Sequence, residues 1–159
     1  QSTFDMPVTA GQAYNVLVEA FSVSTFGPFD ITFDFAPTCA DDVFAGYGSV
    51  TGTTIGAVSD FELRDSEDVG YIWTAQRTER VAITTCGTSW DTYLFALALD
   101  GCPGTTIAED DNGACDGGFS FQSVLEFDAI AGESYRIVLE AFASDGGGDY
   151  TLNFGPSAP

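Results

Sequence analysis

Oxygen-bearing side chains gather in one short stretch of the second half of the chain. Glu109, Asp110, Asp111 and Asn112 are consecutive, and Asp116 follows four residues later. Calcium binds carboxylate, amide and carbonyl oxygens in sets of about six to eight. Carboxylates this close together repel one another unless a cation or water separates them. The stretch therefore predicts calcium binding, although its spacing is not that of an EF-hand, and a solvated acidic turn is the alternative.

The sequence lacks the side chains that most often act as catalytic bases. It contains no histidine and no lysine, so the usual bases for activating a nucleophile are missing. The run Gly87-Thr88-Ser89-Trp90-Asp91 departs from the nucleophile-elbow pattern at its last position. Paired carboxylates can hydrolyse glycosides, but with 24 acidic residues in the chain adjacent pairs arise by chance. We expect no enzyme activity.

The charge balance excludes two classes of partner. Four arginines against 24 acidic residues give a net charge of −20, which argues against binding to nucleic acid or to anionic membranes. No apolar run approaches the roughly 18 residues that a membrane span needs, so no membrane insertion is expected. The first residue is Gln1 rather than methionine, which suggests a processed or excised chain.

The four cysteines indicate an oxidising compartment. Cys39, Cys86, Cys102 and Cys115 form no C-x-x-C pair, and without histidine a zinc site is not expected. An even count in an acidic, lysine-free chain predicts two disulfides and an extracellular or cell-surface location. Because Cys102 and Cys115 flank the short acidic stretch, we expect them to pair, which leaves Cys39 with Cys86.

Apolar residues recur with a period of two, which is typical of strands. Strands are predicted in seven places: 49–53, 69–74, 80–86, 92–99, around Leu125 and Phe127, over 135–141, and over 150–154. Glycine, aspartate and serine clusters separate them, and no segment has helical spacing. The sequence therefore predicts an antiparallel β-sandwich. Both faces of 92–99 are apolar, so this strand is either covered on both sides or keeps one face for a partner.

The aromatic residues are assigned first to the core. The chain has 14 Phe, six Tyr and two Trp, and aromatic side chains dominate core burial. A sugar-binding platform would instead need exposed rings such as Trp90 or Phe119.

The chain contains part of itself twice. Residues 2–35 align without a gap on residues 123–156, at a spacing of 121. Identical pairs are Ser2/Ser123, Ala10/Ala131, Gly11/Gly132, Tyr14/Tyr135, Glu19/Glu140, Ala20/Ala141, Phe21/Phe142, Gly27/Gly148 and Phe33/Phe154. A fixed period is the signature of a repeat. We predict a complete domain over 38–159, preceded over 1–37 by the last three strands of another copy.

The complete unit resembles the bacterial pre-peptidase C-terminal domain family. The resemblance lies in an ordered set of short motifs: Cys39-Ala40-Asp41-Asp42, Asp68-Val69-Gly70-Tyr71-Ile72-Trp73, Ser89-Trp90-Asp91-Thr92-Tyr93-Leu94, Glu109-Asp110-Asp111-Asn112, Ala131-Gly132-Glu133-Ser134-Tyr135 and Gly148-Asp149-Tyr150-Thr151-Leu152. It implies a jelly-roll-like sandwich that is not catalytic, and some relatives bind calcium. The family pattern also pairs Asp91 with the acidic stretch, so Asp91 joins the predicted calcium ligands.

Two functions fit these observations. One is a structural module, a repeat or subunit of an extracellular filament or surface array. The other is an accessory module that anchors a secreted enzyme to a polysaccharide or protein. The partial copy favours the first, because three strands cannot bury their own apolar faces.

The apolar positions of the partial copy define the expected assembly strands. They are Phe4, Met6 and Val8; Tyr14, Val16 and Val18; and Phe29, Ile31 and Phe33. Leaving each exposed forgoes about 1.5–3 kcal/mol of burial. We expect copies of the same chain, or adjacent repeats, to cover them by head-to-tail strand complementation. Packing of the three strands on the complete domain of their own chain is the alternative.

Overall fold

The computed structural model describes two sheets that pack into a sandwich. It describes residues 14–18, 27–28, 31, 40, 42–61, 63–118, 120–144 and 146–157. The chain divides into two compact units, residues 1–35 and 36–159. Within the first unit the described residues belong to no strand, and the predicted boundary at residue 37 stays a prediction.

Nine strands and one short 3₁₀ helix make up the described part of the second unit. The strands are β1 (Asp42–Ala45), β2 (Gly48–Thr53), β3 (Asp68–Thr74), β4 (Glu79–Thr84), β5 (Thr92–Leu97), β6 (Thr106–Asp110), β7 (Val124–Ala129), β8 (Ser134–Ala141) and β9 (Asp149–Pro156). The 3₁₀ helix is Cys115–Gly117. The described residues include no α-helix, and none of their helices could cross a membrane.

The five-stranded sheet has the order β1-β3-β8-β5-β6, and the four-stranded sheet has the order β2-β9-β4-β7. Neighbouring strands are antiparallel except β1 and β3. The predicted β-sandwich is therefore confirmed. The seven strands predicted for the complete unit are present, as β2–β5 and β7–β9, with small differences at their ends. The three strands predicted for the partial copy are not formed at residues 14–18, 27–28 and 31, the residues of that copy that the structure describes.

Alternation along the strands places one apolar face of each sheet in the common core. Trp73 lies at its centre, with ring centroids 6.0 Å from Tyr135 and Phe154 and 6.2 Å from Phe127. Ile83, Leu94, Ile137, Leu139 and Leu152 are fully buried beside it. The assignment of aromatic residues to the core is correct for these rings.

The central strand β8 is buried on both faces. Its inward residues reach the four-stranded sheet, and its outward Val138 packs with Phe95 and Leu97 of β5 beneath Phe61. Phe61 belongs to residues 57–67, the segment between β2 and β3 that we call the strap. The apolar outer face of β5 is thus covered by the chain's own strap, which decides between the two alternatives for 92–99.

A buried hydroxyl cluster ties the start of β5 to the four-stranded sheet. Thr92 Oγ1 lies 2.6 Å from Thr85 Oγ1 and 3.0 Å from Ser123 Oγ, and the Ser123 N–H donates to both threonine hydroxyls. These bonds fix the end of the sheet where Asp91 stands.

The structure corrects the predicted disulfides. Cys86 is bonded to Cys115, with Cα atoms 5.5 Å apart. Both predicted pairs, Cys39–Cys86 and Cys102–Cys115, are therefore wrong. Cys102 is also disulfide-bonded, and Cys39 lies outside the described residues. The predicted pairing of Cys102 with Cys115 was the one that closes the shortest loop. In the fold, the turn after β4 lies against the 3₁₀ helix, and this brings Cys86 to Cys115.

Strands β1 and β6 were not predicted. β1 is short and lies at a sheet edge, where Val43 is exposed. β6 ends inside the acidic stretch, whose charges suggested a loop. Its pairing with β5 supplies the backbone hydrogen bonds that make it a strand.

We expect Gly70→Ala to loosen the strap. A Cβ at Gly70 would overlap the ring of Phe61, and overpacking costs roughly 1–3 kcal/mol of unfolding free energy. Gly155→Ala, also within a strand but with open space around its Cβ, is the matched control and should be neutral or slightly stabilising. Urea denaturation followed by tryptophan fluorescence measures both, and equal stability of the two variants would contradict the packing described.

Removing the Cys86–Cys115 bond should destabilise the domain by about 3–4 kcal/mol, because its sequence separation of 29 fixes a long loop in the unfolded chain. The paired variant Cys86→Ser with Cys115→Ser tests this in the same denaturation assay. Peptide mapping without reduction should recover Cys86 joined to Cys115; recovery of Cys115 joined to Cys102 would refute the assignment.

Candidate functional site

Two carboxylates face each other on the outer face of the five-stranded sheet. Asp68 of β3 and Glu140 of β8 are register partners, and Tyr93 of β5 is the partner of Glu140 on its other side. Adjacent strands lie only about 4.8 Å apart. Asp68 and Glu140 are almost fully buried. We call them the carboxylate pair.

Glu140 lacks hydrogen bonds that a buried carboxylate normally has. Neither of its oxygens has a hydrogen-bond partner. Burial is the main reason that its pKa rises to about 7, and the charge of Asp68 raises it further. The positive charge of Arg64 lowers the pKa of Glu140, and so does the backbone N–H of Arg64. This N–H does not form a hydrogen bond with either carboxylate oxygen. Near neutral pH the pair therefore carries a proton for part of the time.

Asp68 anchors the strap. Its Oδ1 accepts the Asp60 N–H and its Oδ2 accepts the Phe61 N–H, both at 3.2 Å. Farther along the strap, Ser66 Oγ donates to the Ala141 carbonyl and accepts the Ala141 N–H. The same carboxylate that faces Glu140 thus holds the backbone of the segment above it.

Arg64 supplies the positive charge at this end of the face. Its guanidinium lies 4.5 Å from the ring centroid of Tyr93 and 4.8 Å from that of Phe142, and Nη2 donates to the Phe142 carbonyl at 2.8 Å. Arg64 Nε is buried without a hydrogen-bond partner, as is Asp91 Oδ1. Among the described residues, the buried side-chain atoms that lack a partner belong to Arg64, Asp91 and Glu140 alone.

Asp91 and Asp111, both predicted calcium ligands, lie near each other. Burial raises the pKa of Asp91, and the charge of Asp111 raises it further, whereas Arg64 lowers it. Glu109 and Asp111 both raise the pKa of Tyr93, after burial. These effects place Glu109 and Asp111 near Tyr93, and Asp91 near Asp111.

Asp110 corrects the picture of one acidic loop. It is the last residue of β6, opposite Leu94, and its Oδ2 accepts the Val124 N–H at 2.7 Å. Its carboxylate therefore joins β6 to β7, while burial raises its pKa and the charge of Asp111 still raises it further. Asn112 lies in a bend. Asp116 lies in the 3₁₀ helix, and its side chain is not among those that the structure describes.

No three acidic, histidine or cysteine side chains come close enough to hold a metal ion in the part of the chain that the structure describes. Calcium binding at Asp91, Glu109, Asp110, Asp111, Asn112 and Asp116 stays a prediction from the sequence.

Trp90 does not present a free platform for a sugar. Its indole N–H donates to the Asp149 carbonyl at 2.9 Å, and the ring packs partly against the core. Phe119 lies outside the described residues.

Sequence reasoning missed Arg64, Asp68 and Glu140. A usable indication was present, because Glu140 interrupts an apolar run, Ile137 to Phe142, and recurs as Glu19 in the partial copy. An acidic residue kept inside an apolar run of the sequence in both copies marks a position with a specific environment.

The fold resembles that of a domain whose structure is known. The structure resembles the pre-peptidase C-terminal domain of a collagenase from Bacillus anthracis, with a TM-score of 0.52 and 11% identity over 77% of this chain and 100% of that one. A periplasmic inhibitor of g-type lysozyme from Aeromonas hydrophila is more distant, with a TM-score of 0.41, 10% identity, and coverage of 72% and 99%. No model of a protein family matches the sequence, and a search of curated proteins finds no significant match. The similarity to the collagenase domain establishes the sandwich fold alone.

We expect Glu140→Gln to remove a pH dependence of stability. Since the folded pKa of about 7 exceeds the usual 4.5, the folded state keeps a proton that the unfolded chain has lost between these values. This stabilising contribution is complete below pH 4.5 and is lost as the pH rises through 7. At pH 8 the variant should exceed the native protein by about 3 kcal/mol, with no difference at low pH.

Urea denaturation across this pH range measures the effect. Glu133→Gln, at an exposed turn position, is the control and should follow the native curve. A native protein that is as stable at pH 8 as at pH 5 would contradict the protonated state of Glu140.

Proposed function

We propose that this protein is a non-catalytic extracellular structural module, and that its segment 2–35 completes a sandwich whose other strands come from another unit of the same kind. The Cys86–Cys115 disulfide supports an extracellular setting, because cytosolic thiols are kept reduced. The resemblance to an accessory domain supports a module without a catalytic centre.

The observation that carries the proposal is which positions are identical in the two copies. Segment 2–35 corresponds in sequence to β7, β8 and β9. Ser123, the counterpart of Ser2, bonds to Thr85 and Thr92. Both partners lie outside β7–β9, at the end of β4 and the start of β5.

Other identical positions follow the same rule. The N–H of Gly148 donates to Thr54 Oγ1. A Cβ at this position would crowd the indole ring of Trp90, at 3.0 Å from its Cδ1. Phe142 donates its N–H to the Asp91 carbonyl and receives Arg64 over its ring. Segment 2–35 keeps these residues as Gly27 and Phe21, but it contains no counterparts of their partners.

The exposure of apolar side chains in segment 2–35 also supports strand complementation. Tyr135, Ile137, Leu139 and Leu152 are buried in the complete unit. Their counterparts Tyr14, Val16, Val18 and Ile31 are 39–47% exposed in this chain. Strands corresponding to β1–β6 of another unit would cover them and would supply the missing hydrogen-bond partners.

The supplying unit is either a neighbouring copy or an adjacent repeat in a longer polypeptide. In both cases successive units are joined head-to-tail, and a contact of that kind that does not close on itself extends into an array or filament.

A fusion that places residues 38–121 before Gln1, which is the counterpart of Gln122, tests the proposal. It provides β1–β6 for segment 2–35, so we expect two sandwiches and strong protection of the amides of residues 14–18 from hydrogen exchange. In the unfused chain at low concentration the same amides should exchange rapidly. Rapid exchange in the fusion as well would refute strand complementation.

Paired substitutions sharpen the test. Ile31→Asp replaces the counterpart of buried Leu152 and should abolish protection in the fusion, because an unpaired buried charge is not tolerated. Thr32→Asp, at the counterpart of half-buried Asn153 on the opposite face, is the matched control and should leave protection intact. Equal effects of the two substitutions would count against the predicted strand register.

A further inference from the structure

We propose that Asp68 and Glu140 act as a proton-operated latch, which holds the strap on the outer face while Glu140 is protonated and releases it when both carboxylates are ionised.

The geometry of the pair supplies the switch. The two residues are direct neighbours across β3 and β8, and both are almost fully buried. Like charges at this separation and in low dielectric repel strongly, so a single proton between them removes most of the repulsion. Neither oxygen of Glu140 has a hydrogen bond, so no direct hydrogen bond stabilises its ionised form in place.

The surrounding charges do not compensate for a second negative charge. From β3, Asp68 faces Glu140, and from β5, Tyr93 does. From the strap, Arg64 favours ionisation of Glu140 and Asp65 opposes it. One guanidinium thus acts against two carboxylates, and it is already engaged with Phe142 and Tyr93.

The strap is the element that can move in response. It contains no strand, and Asp68 binds it through the N–H groups of Asp60 and Phe61. A surface depression runs along its edge, lined by Leu63, Arg64, Asp65, Ala141, Phe142 and Ser144. Lifting the strap admits water to both carboxylates, whereas moving β3 or β8 would break the sheet.

The consequence of release is a change of surface. Phe61 covers Phe95, Leu97 and Val138, so an open strap exposes an apolar patch on the five-stranded sheet. The closed form prevails in acidic surroundings. Because the pKa of Glu140 rises from 4.5 to about 7 in the closed form, the open form gains population as the pH rises between these two values, and the gain levels off above neutral pH.

Hydrogen exchange detected by NMR tests the latch, with rates divided by the intrinsic rate at each pH. If the released carboxyl regains its usual pKa, the opening equilibrium for the amides of Asp60 and Phe61 should rise up to about 70-fold between pH 5 and pH 8. Amides of Ile83 and Leu152, in the other sheet, exchange through global unfolding and should show a smaller opening equilibrium than those of Asp60 and Phe61 at every pH. Equal opening equilibria in both sets would mean that the strap is released only by global unfolding and would overturn the latch.

Two variants and one direct titration complete the experiment. Glu140→Gln should flatten the pH dependence at the strap, and Glu133→Gln should retain the native profile. Titration of the Glu140 carboxyl carbon by NMR in the native protein should show its midpoint near neutrality. A midpoint near the ordinary glutamate value, or an unchanged strap profile in Glu140→Gln, would refute the proposal.

Discussion

Burial of β8 on both faces is the constraint on which the rest of the structure depends. A strand in the middle of a five-stranded sheet has one face turned to the second sheet, but its other face needs a separate cover. The strap provides this cover through Phe61, which reaches Val138 across Gly70. The position of Gly70, the anchoring by Asp68 and the burial of Glu140 all follow from that requirement.

The same constraint explains why the partial copy matters. A segment with the sequence of β7–β9 includes a counterpart of β8, and such a strand needs a strap on one face and a second sheet on the other. Segment 2–35 contains neither, yet it keeps Ser2, Phe21 and Gly27, whose counterparts bind to residues outside β7–β9. The counterparts of these three retained residues bind to residues that the segment itself does not contain.

Much of the sandwich could be predicted because alternation with a period of two reports burial on one face. Leu125 and Phe127 of β7, and Tyr150, Leu152 and Phe154 of β9, were placed correctly for that reason. The outer face could not be predicted, since its burial depends on the strap, which has no regular pattern. The role of Asp110 was missed because a carboxylate that accepts a backbone N–H looks, in sequence, like any other acid. The disulfides failed for a related reason, because Cys86 and Cys115 meet only through the tertiary fold.

Strand complementation is the central claim, and an experimental structure of the protein assembled with its neighbouring units tests it most directly. The account predicts that residues 14–18 form the middle strand of a five-stranded sheet, in the position that β8 occupies in the complete domain, with strands from another unit on both sides. A structure in which residues 14–18 instead pack on the sandwich of their own chain would contradict it.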